Sequence, residues 1–241
     1  MKRVILVSHK KGGVGKSSIA LNLGAALNLM KRHTKVLDLD RASATSSSAS
    51  DTAAMLASSD SEYTTTLPEV VRYATLPGVA GSASVMQRDA ALRSCLKKMT
   101  SECEFVVIDA GAGEQEENAL AAVLAQLIII PFPCDPGDYT STVEFVSMMQ
   151  QWAVSRDEPL VMRTVLNRYK SGWSINRQIE EVIADPAWAA PAFPVRIPSA
   201  IRIPEQTMMG RTAFDLKEED AARRAFVELA ASVLAVMDAA A

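Results

Sequence analysis

A short glycine-rich segment near the start of the chain limits what its 241 residues can fold into more than any other feature. Residues 10–18 read KKGGVGKSS; the apolar run RVILVS (3–8) precedes them, and residues 16–30 show the apolar spacing of a helix. Glycines permit a tight turn that brings backbone N–H groups close to an anion, and a helix that begins there adds the positive end of its dipole. The segment therefore predicts a phosphate-binding loop between a buried strand and a helix.

Composition narrows the class of protein that carries this loop. Hydrophobic residues make up 49% of the chain and charged residues 22%, as in an ordinary soluble globular protein. With 25 basic and 28 acidic residues, the net charge of −3 excludes a strongly cationic DNA-coating protein, so any binding to nucleic acid must use a local patch. The three cysteines form no CxxC pair, and the sequence has no recognisable signal peptide or membrane span, which favours a cytoplasmic protein.

Strands alternate with helices along the rest of the chain, and this alternation predicts an α/β fold. Continuous apolar runs bounded by helices are typical of parallel strands buried on both faces. We therefore expect a doubly wound, mainly parallel sheet flanked by helices, in one domain spanning residues 1–241. The segment 41–66, rich in Ser, Ala and Thr, is either a surface linker or a switch region. Further strands are predicted at 35–39, 104–109, 126–133, 159–166 and 191–196, and helices near 86–99, 115–125, 138–154, 174–184 and 218–238.

The loop departs from the common phosphate-binding pattern in one position. In the pattern G-x-x-x-x-G-K-[ST], the side chain of Lys16 would reach the β- and γ-phosphates of a nucleotide, and the Ser17 hydroxyl would bind Mg²⁺. The first glycine of the pattern would fall at residue 10, which is lysine. The arrangement K-G-G-x-G-K-S instead resembles the deviant Walker A loop of the ParA/MinD superfamily of P-loop ATPases.

This resemblance assigns roles to the residues of the loop. In the family, a signature lysine precedes the two glycines and reaches across a dimer interface to the phosphates bound by the other subunit. By position that residue is Lys11, with Lys10 as the weaker candidate. The resemblance implies ATP as the nucleotide, a homodimer that forms on ATP binding, and a nucleotide-binding loop made of Lys11, Gly12, Gly13, Val14, Gly15, Lys16, Ser17 and Ser18.

Two strands that end in aspartate extend the resemblance. The segment VLDLD (36–40) is similar to the D-x-D element of the family, in which Asp40 would position the attacking water with Asp38 nearby. The segment FVVID (105–109) is similar to a Walker B strand, whose Asp109 would hold Mg²⁺. Carboxylates suit these tasks because water beside a γ-phosphate needs an acceptor and Mg²⁺ needs anions around it. The resemblance implies the catalytic residues Lys11, Lys16 and Asp40 and the metal ligands Ser17, Asp38 and Asp109.

Other segments match the family with some departures. Arg41 follows the D-x-D element where the family usually has proline, so the first switch differs in sequence. Gly113 follows the Walker B strand, where a backbone N–H senses the γ-phosphate. Asn167 ends a predicted strand and would hydrogen-bond the adenine, although an asparagine at this place also suits a simple turn. Asp135 and Asp138 are expected to cap the helix that follows the strand at 126–133.

Several branches of the family can be told apart by sequence. Members that bind an iron–sulfur cluster need cysteines at particular positions, and the cysteines of this chain stand elsewhere. MinD-type members end in a basic amphipathic helix that binds the membrane. The last predicted helix carries basic residues only at its start, and we expect it to pack on the core. The layout is closest to small plasmid-type ParA proteins that lack an N-terminal DNA-reading domain. The prediction is thus a slow, switch-type DNA partition ATPase; a MinD-like membrane-associated positioning ATPase and a metabolic P-loop ligase remain as alternatives.

A local excess of basic residues supports the DNA-partition hypothesis. Residues 161–211 contain seven basic and four acidic residues, a net charge of +3 within a chain of net charge −3. Contacts with phosphates need such a patch, whereas solvated arginines or ion pairs with nearby glutamates are the alternative. The expected partners are non-specific double-stranded DNA and a ParB-like or other cargo adaptor, without a membrane, for a nucleoid-associated protein. The residues predicted to contact DNA are Arg177, Arg196, Arg202 and Arg211.

Overall fold

Seven strands and six α-helices make up the part of the chain that this computed structural model describes. The described residues are 3–40, 67–76, 79, 83–111, 116–154, 160–200, 203 and 211–239; the segment 41–66, Gly113 and Arg202 lie outside them. The strands are Arg3–Val7 (β1), Thr34–Asp38 (β2), Glu69–Arg72 (β3), Phe105–Asp109 (β4), Leu127–Pro133 (β5), Val161–Tyr169 (β6) and Ala192–Pro198 (β7). The helices are Lys16–Leu29 (α1), Val85–Glu102 (α2), Glu116–Leu124 (α3), Pro136–Val154 (α4), Ser174–Ala184 (α5) and Ala221–Ala239 (α6).

All seven strands join one parallel sheet in the order β3-β2-β4-β1-β5-β6-β7. The predicted doubly wound parallel sheet is confirmed. The chain moves away from β1 in one direction through β2 and in the other through β5, so the strand order reverses at β1. In open α/β sheets a crevice forms at the carboxyl ends of the strands at such a reversal. The glycine-rich loop follows β1 and therefore lies at that crevice.

The strand β3 was missed by the sequence analysis. Its four residues, EVVR, contain only two apolar side chains and end the sheet, so they show neither a long apolar run nor clear alternation. The strand exists because it pairs along β2, with Lys35 opposite Glu69. The Nζ of Lys35 also lies 2.8 Å from a carboxylate oxygen of Glu69. Long-range pairing thus decides this element rather than local pattern.

Alternating side chains of β1 supply the two halves of the core. Ile5 and Val7 are fully buried on the face covered by α1 and α6, whereas Val4 and Leu6 face the cluster formed with α2, α3 and α4. Burying each large apolar side chain stabilises the fold by about 1.5–3 kcal/mol relative to exposure. Because both faces of β1 are covered, the end of β1 has little freedom to move, and the loop that follows starts from a fixed point.

The last helix, α6, packs against α1 and β7. Phe226, Leu229 and Val233 are completely buried in the core that it shares with them. The helix therefore uses its apolar face internally, as the sequence analysis expects. Across the residues that the structure describes, no helix combines the length and the apolar character needed to cross a bilayer.

Candidate nucleotide-binding site

The glycine-rich loop adopts the backbone that its glycines make possible. Gly13 and Gly15 have φ angles of 74° and 100°, in the left-handed region that other residues rarely adopt. Gly15 is also the N-cap of α1, and a Cβ atom there would collide with the side-chain amide of Asn167. The first turn of α1 contains no acidic residue, and no side chain caps it. The helix therefore presents backbone donors and a positive dipole end at the crevice, which suits an anion.

Lys16 places a cation at the centre of this loop. It is only 6% exposed, and its Nζ donates a hydrogen bond to the carbonyl oxygen of Lys11 at 3.1 Å. Burial lowers the pKa of Lys16, while the carboxylates of Asp109 and Asp40 act in the opposite direction. A buried ammonium that binds a loop carbonyl gains much from a phosphate, since charge-assisted hydrogen bonds are strong where water is excluded.

The carboxylates of Asp38 and Asp109 lie next to each other, close to Lys16. Asp38 of β2 and Asp109 of β4 are paired in register, and β1 places Val7 on the other side of Asp109. Burial, and then the negative charge of Asp38, raises the pKa of Asp109 to about 7; a hydrogen bond from Ser17 and the charge of Lys16 act against this rise. The Asp109 Oδ1 atom is buried and has no hydrogen-bond partner within the described residues.

This arrangement fits a magnesium ion. Mg²⁺ prefers oxygen ligands, and Ser17, Asp38 and Asp109 offer one hydroxyl and two carboxylates at the foot of the phosphate loop. An orphaned buried carboxylate oxygen is costly unless a cation or a donor satisfies it. The backbone N–H of Asp40 donates to Asp38 Oδ1 at 2.9 Å, which fixes Asp40 beside the pair. The structure thus brings the predicted catalytic and metal-binding carboxylates together.

Two residues near the C-terminal end of β6 donate hydrogen bonds to the glycine-rich loop. The Nδ2 atom of Asn167, which is 7% exposed, donates to the carbonyl oxygen of Val14 at 2.8 Å. The guanidinium of Arg168 donates to the carbonyl oxygen of Gly13, and Arg168 has a φ of 55°. In this structure Asn167 therefore binds the loop itself, and its contact with adenine stays a prediction. Arg168 was missed because nothing in its sequence context signals the unusual backbone that directs it to Gly13.

The remaining residues of the loop differ in their exposure. Val14 is fully buried and anchors the turn, whereas Ser18 is half-buried on the first turn of α1. The loop backbone is accessible to a ligand at its exposed positions, which are Lys11, Gly12, Gly13 and Ser17.

Both lysines that precede the glycines contact α4 of their own chain. The Nζ of Lys11 forms an ion pair with Asp138 and donates to the carbonyl oxygen of Gly137 at 3.0 Å. Lys10 forms an ion pair with Glu144. The expectation that Asp138 caps α4 is wrong, because Asp135 accepts the hydrogen bond from the backbone N–H of Gly137 and Asp138 binds Lys11 instead.

A buried histidine joins the loop to α4. The ring of His9 is fully buried and packs on Phe145 with ring centroids 5.2 Å apart. Its Nδ1 accepts a hydrogen bond from the backbone N–H of Lys11 at 2.9 Å, and its Nε2 lies 3.0 Å from the hydroxyl of Thr142. Burial, followed by the positive charge of Lys16, lowers the pKa of His9 to about 4. His9 was missed because its partner Thr142 is far away in sequence, and a lone histidine carries no motif.

The arginines of the basic stretch behave differently. Arg196 donates to Glu180 Oε1 from Nε at 3.0 Å and from Nη2 at 2.6 Å, and it lies over the ring of Tyr169. Arg177 has a side chain that is 88% exposed, 3.8 Å from Glu181. Arg211 is exposed. The three predicted DNA-contacting residues that the structure describes therefore lie at the surface, and two of them, Arg177 and Arg196, have an acidic neighbour.

Comparisons with known proteins show which family and which relatives this chain is similar to. The profile of the family described as "CobQ/CobB/MinD/ParA nucleotide binding domain" matches residues 5–212. The chromosome partitioning protein ParA of Myxococcus xanthus is 25% identical over 251 aligned positions, which cover 90% of this chain and 83% of the relative.

Solved structures show the same fold. The septum site-determining protein MinD of Pyrococcus horikoshii, complexed with Mg-ADP, superposes with a TM-score of 0.68 at 22% identity, over 100% of this chain and 99% of that one. The cobyrinic acid a,c-diamide synthase of Mycobacterium smegmatis, with bound ADP and magnesium, has a TM-score of 0.69 at 19% identity, over 100% and 97% of the two chains. At these identities the likeness establishes the fold.

Proposed function

The chain belongs to the CobQ/CobB/MinD/ParA nucleotide-binding domain family, and from that premise we propose that it is an ATP-dependent DNA partition (segregation) ATPase. It dimerises on ATP, binds DNA without sequence preference, and leaves the DNA when a partner stimulates hydrolysis. The observation that carries this proposal is the pair of buried charged residues Lys16 and Asp109, with the partly buried Asp38 in register beside Asp109 and a second loop lysine, Lys11, next to them.

The loop binds the phosphates of ATP in this proposal. The backbone N–H groups around Gly13 and Gly15 point at the phosphate oxygens, and the Nζ of Lys16 exchanges the carbonyl of Lys11 for the β- and γ-phosphates. Asn167 stays at the back of the loop, beside the position of the adenine.

Ser17, Asp38 and Asp109 would hold the magnesium ion of the complex. When bound, Mg²⁺ neutralises charge on the phosphate oxygens during transfer. Asp109 must lose its proton to serve as a ligand, and the nearby Lys16 favours that ionised form. Asp40, held by its backbone N–H on Asp38, accepts a proton from the attacking water. Intrinsic hydrolysis is slow in this proposal, because a switch must persist until a partner ends it.

The second loop lysine makes the site dependent on a second subunit. Lys11 releases Asp138 and reaches the phosphates bound by the partner, so ATP bridges two copies of the chain. The dimer doubles the number of surface arginines and raises the avidity for DNA. The chromosome partitioning function named for the Myxococcus xanthus relative supports this branch of the family. A ParB-like or other cargo adaptor is the partner that stimulates hydrolysis.

A MinD-like role at a membrane is the alternative. Its support is the structural similarity to MinD proteins. The burial of Phe226, Leu229 and Val233 argues against it, because the apolar face of α6 is already occupied by the core. Sedimentation with anionic liposomes in the presence of ATP separates the two roles: recovery of the protein with the liposomes, but not with DNA, contradicts the partition proposal.

The direct test compares DNA binding in three nucleotide states. Gel-shift titrations with ATP, with ADP and without nucleotide are expected to show strong binding with ATP alone, and binding that weakens steeply as salt rises. The Lys11→Ala variant is the control, because it should still bind ATP but lose ATP-driven dimerisation and DNA binding together. Equal DNA binding in all three states would overturn the proposal. ATP binding without dimerisation would instead favour a metabolic ligase.

A further inference from the structure

A closed ring of polar contacts links the phosphate loop to the first turns of α4. The backbone N–H of Lys11 donates to His9 Nδ1 at 2.9 Å, and His9 Nε2 lies 3.0 Å from the hydroxyl of Thr142. That hydroxyl donates to the carbonyl oxygen of Asp138 at 2.9 Å, and the Asp138 carboxylate closes the ring by pairing with the Nζ of Lys11. The ring thus begins and ends at Lys11.

The hydrogen bonds of the ring can run in only one direction. His9 Nδ1 accepts from a backbone N–H, so the proton of the neutral imidazole is on Nε2 and points at Thr142. Thr142 has one hydroxyl proton, which goes to the Asp138 carbonyl while its oxygen accepts from His9. Every polar side-chain atom of His9 and Thr142 is therefore used, in a place where both side chains are fully buried.

The ring includes the ammonium group of Lys11. The side chain of Lys11 is 45% exposed, whereas that of Asp138 is 10% exposed and cannot follow a departing lysine. The Nζ of Lys11 cannot stay with Asp138 and also enter a neighbouring subunit. The Lys10–Glu144 pair lies beside the ring, but its carboxylate is 59% exposed, so the pair contributes little.

We propose that His9, together with Thr142, is a positioning residue that holds the backbone of Lys11 against α4, so that the Lys11 ammonium remains on Asp138 of its own chain until ATP brings two subunits together. The inference rests on the proposed function, because it concerns the lysine that bridges the dimer. Dimerisation then requires the Lys11–Asp138 contact to break in both subunits. Weakening the ring should therefore strengthen the ATP-bound dimer.

The chain offers a matched set of variants at one helical turn. Thr142→Val keeps the shape but removes the hydroxyl that joins His9 to Asp138, and Thr142→Ser restores it. Ser141→Ala is the control, because Ser141 also donates to the Asp138 carbonyl, at 2.8 Å, whereas His9 Nε2 lies beside the hydroxyl of Thr142. Asp138→Asn removes the ion pair directly and leaves the backbone carbonyl in place.

The experiment measures the dimer dissociation constant of the full chain by analytical ultracentrifugation with Mg²⁺ and a slowly hydrolysed ATP analogue. Thr142→Val should lower this constant about 5- to 30-fold, because one hydrogen bond is lost in each of two subunits. Thr142→Ser and Ser141→Ala should remain within about threefold of the wild type. Asp138→Asn should tighten the dimer at least as much as Thr142→Val, and adding Thr142→Val to Asp138→Asn should change nothing further.

The outcomes separate this inference from the proposed function. If the wild type stays monomeric with the ATP analogue, the dimer switch and the positioning role both fall. If the wild type dimerises and Thr142→Val leaves the constant unchanged or weakens the dimer, only the role of His9 and Thr142 falls. The positioning role is also wrong if Thr142→Val lowers the dimer dissociation constant by the same factor in the Asp138→Asn background. The hydroxyl would then act independently of the ion pair. A merely structural loss would weaken the dimer, which is the opposite sign.

Discussion

The phosphate-loop crevice and the surface formed by β6, α5 and β7 both carry clustered charges, but they hold them in different ways. In the crevice, Lys16 is 6% exposed and Asp109 is 7% exposed. Lys16 contacts the loop, and Asp109 lies in register with Asp38 of the neighbouring strand. On the β6–α5–β7 surface, the side chain of Arg177 is 88% exposed and lies one helical turn from Glu181. The first region specifies a ligand, whereas the second supplies only a surface charge.

The physical reason for the difference is the cost of removing a charge from water. A buried charge is expensive unless something compensates it, so its presence in a crevice indicates a ligand of opposite charge. An exposed ion pair is worth about 0–1 kcal/mol and can be lost or gained with little consequence. Variants of single charges in the two regions test this contrast.

The largest effect is expected for Asp109→Asn in the protein without nucleotide. The pKa of Asp109 is raised to about 7 in the folded state from an ordinary value of 3.8, so the folded state binds more protons than the unfolded state between these values. Stability contributed by this proton is present at low pH and is lost as the pH rises toward 7. The variant should therefore be more stable than the wild type above pH 7, by up to about 4 kcal/mol, and equal to it near pH 4.

Urea unfolding at pH 4, 6 and 8 measures this difference, and the same variant should lose the dependence of ATP binding on Mg²⁺. A constant difference across the pH range would show that Asp109 is not the buried acid described above. The Asp38→Asn variant provides a comparison, because removing its charge should lower the pKa of Asp109 and give a smaller gain at high pH.

The next effect concerns ATP affinity. Lys16→Ala removes the buried cation of the loop and should weaken ATP binding about 100-fold, because a desolvated, charge-assisted contact with phosphate is lost. Calorimetric titration with ATP and Mg²⁺ measures the change. The Lys10→Ala variant removes a neighbouring lysine that pairs with Glu144 at the surface, and its effect should stay below about threefold. If the two variants lose ATP affinity to a similar degree, the buried and the exposed lysine of the loop do not differ in their contribution to ATP binding.

A smaller effect is expected for the arginines in ATP-dependent DNA binding. Arg211→Ala should weaken binding about 3- to 10-fold at low salt and reduce the salt slope by about 2, because the dimer has two copies. Arg196→Ala should change binding less, since Glu180 already neutralises Arg196. Conversely, Glu180→Gln should strengthen binding by freeing that arginine. The contrast fails if Arg196→Ala weakens DNA binding more than Arg211→Ala does.

The smallest effect is expected for the stability of the exposed helix surface. Arg177→Ala should change the free energy of unfolding by less than about 0.5 kcal/mol, because the Arg177–Glu181 pair is long and almost fully solvated. Chemical denaturation at two salt concentrations checks this value. A loss above 1 kcal/mol would mean that the α5 surface is organised much more tightly than its exposure indicates.

The sequence predicted those parts of the molecule that depend on local pattern. Apolar runs located six of the seven described strands, and the KGGVGKS segment located the loop, because strand burial and tight turns leave direct traces in composition. The contacts of His9, Asp138 and Arg168 left no such trace. His9 and Thr142 are separated by 133 positions, and Arg168 and Gly13 by 155. Such pairs depend on how distant elements pack, which periodicity does not encode.

Taken alone, the sequence determined the α/β architecture, the phosphate loop and the residue types that hold ATP and Mg²⁺ in the proposed function. Glycine spacing and strands that end in aspartate are local requirements of that chemistry. The tertiary structure decided the protonation preference of Asp109 and the partner of Lys11. Both follow from parallel strands that place Asp38 beside Asp109, and from α4, which brings Asp138 and Thr142 against the loop. Burial and proximity set the energy of a charge, and only the folded chain determines them.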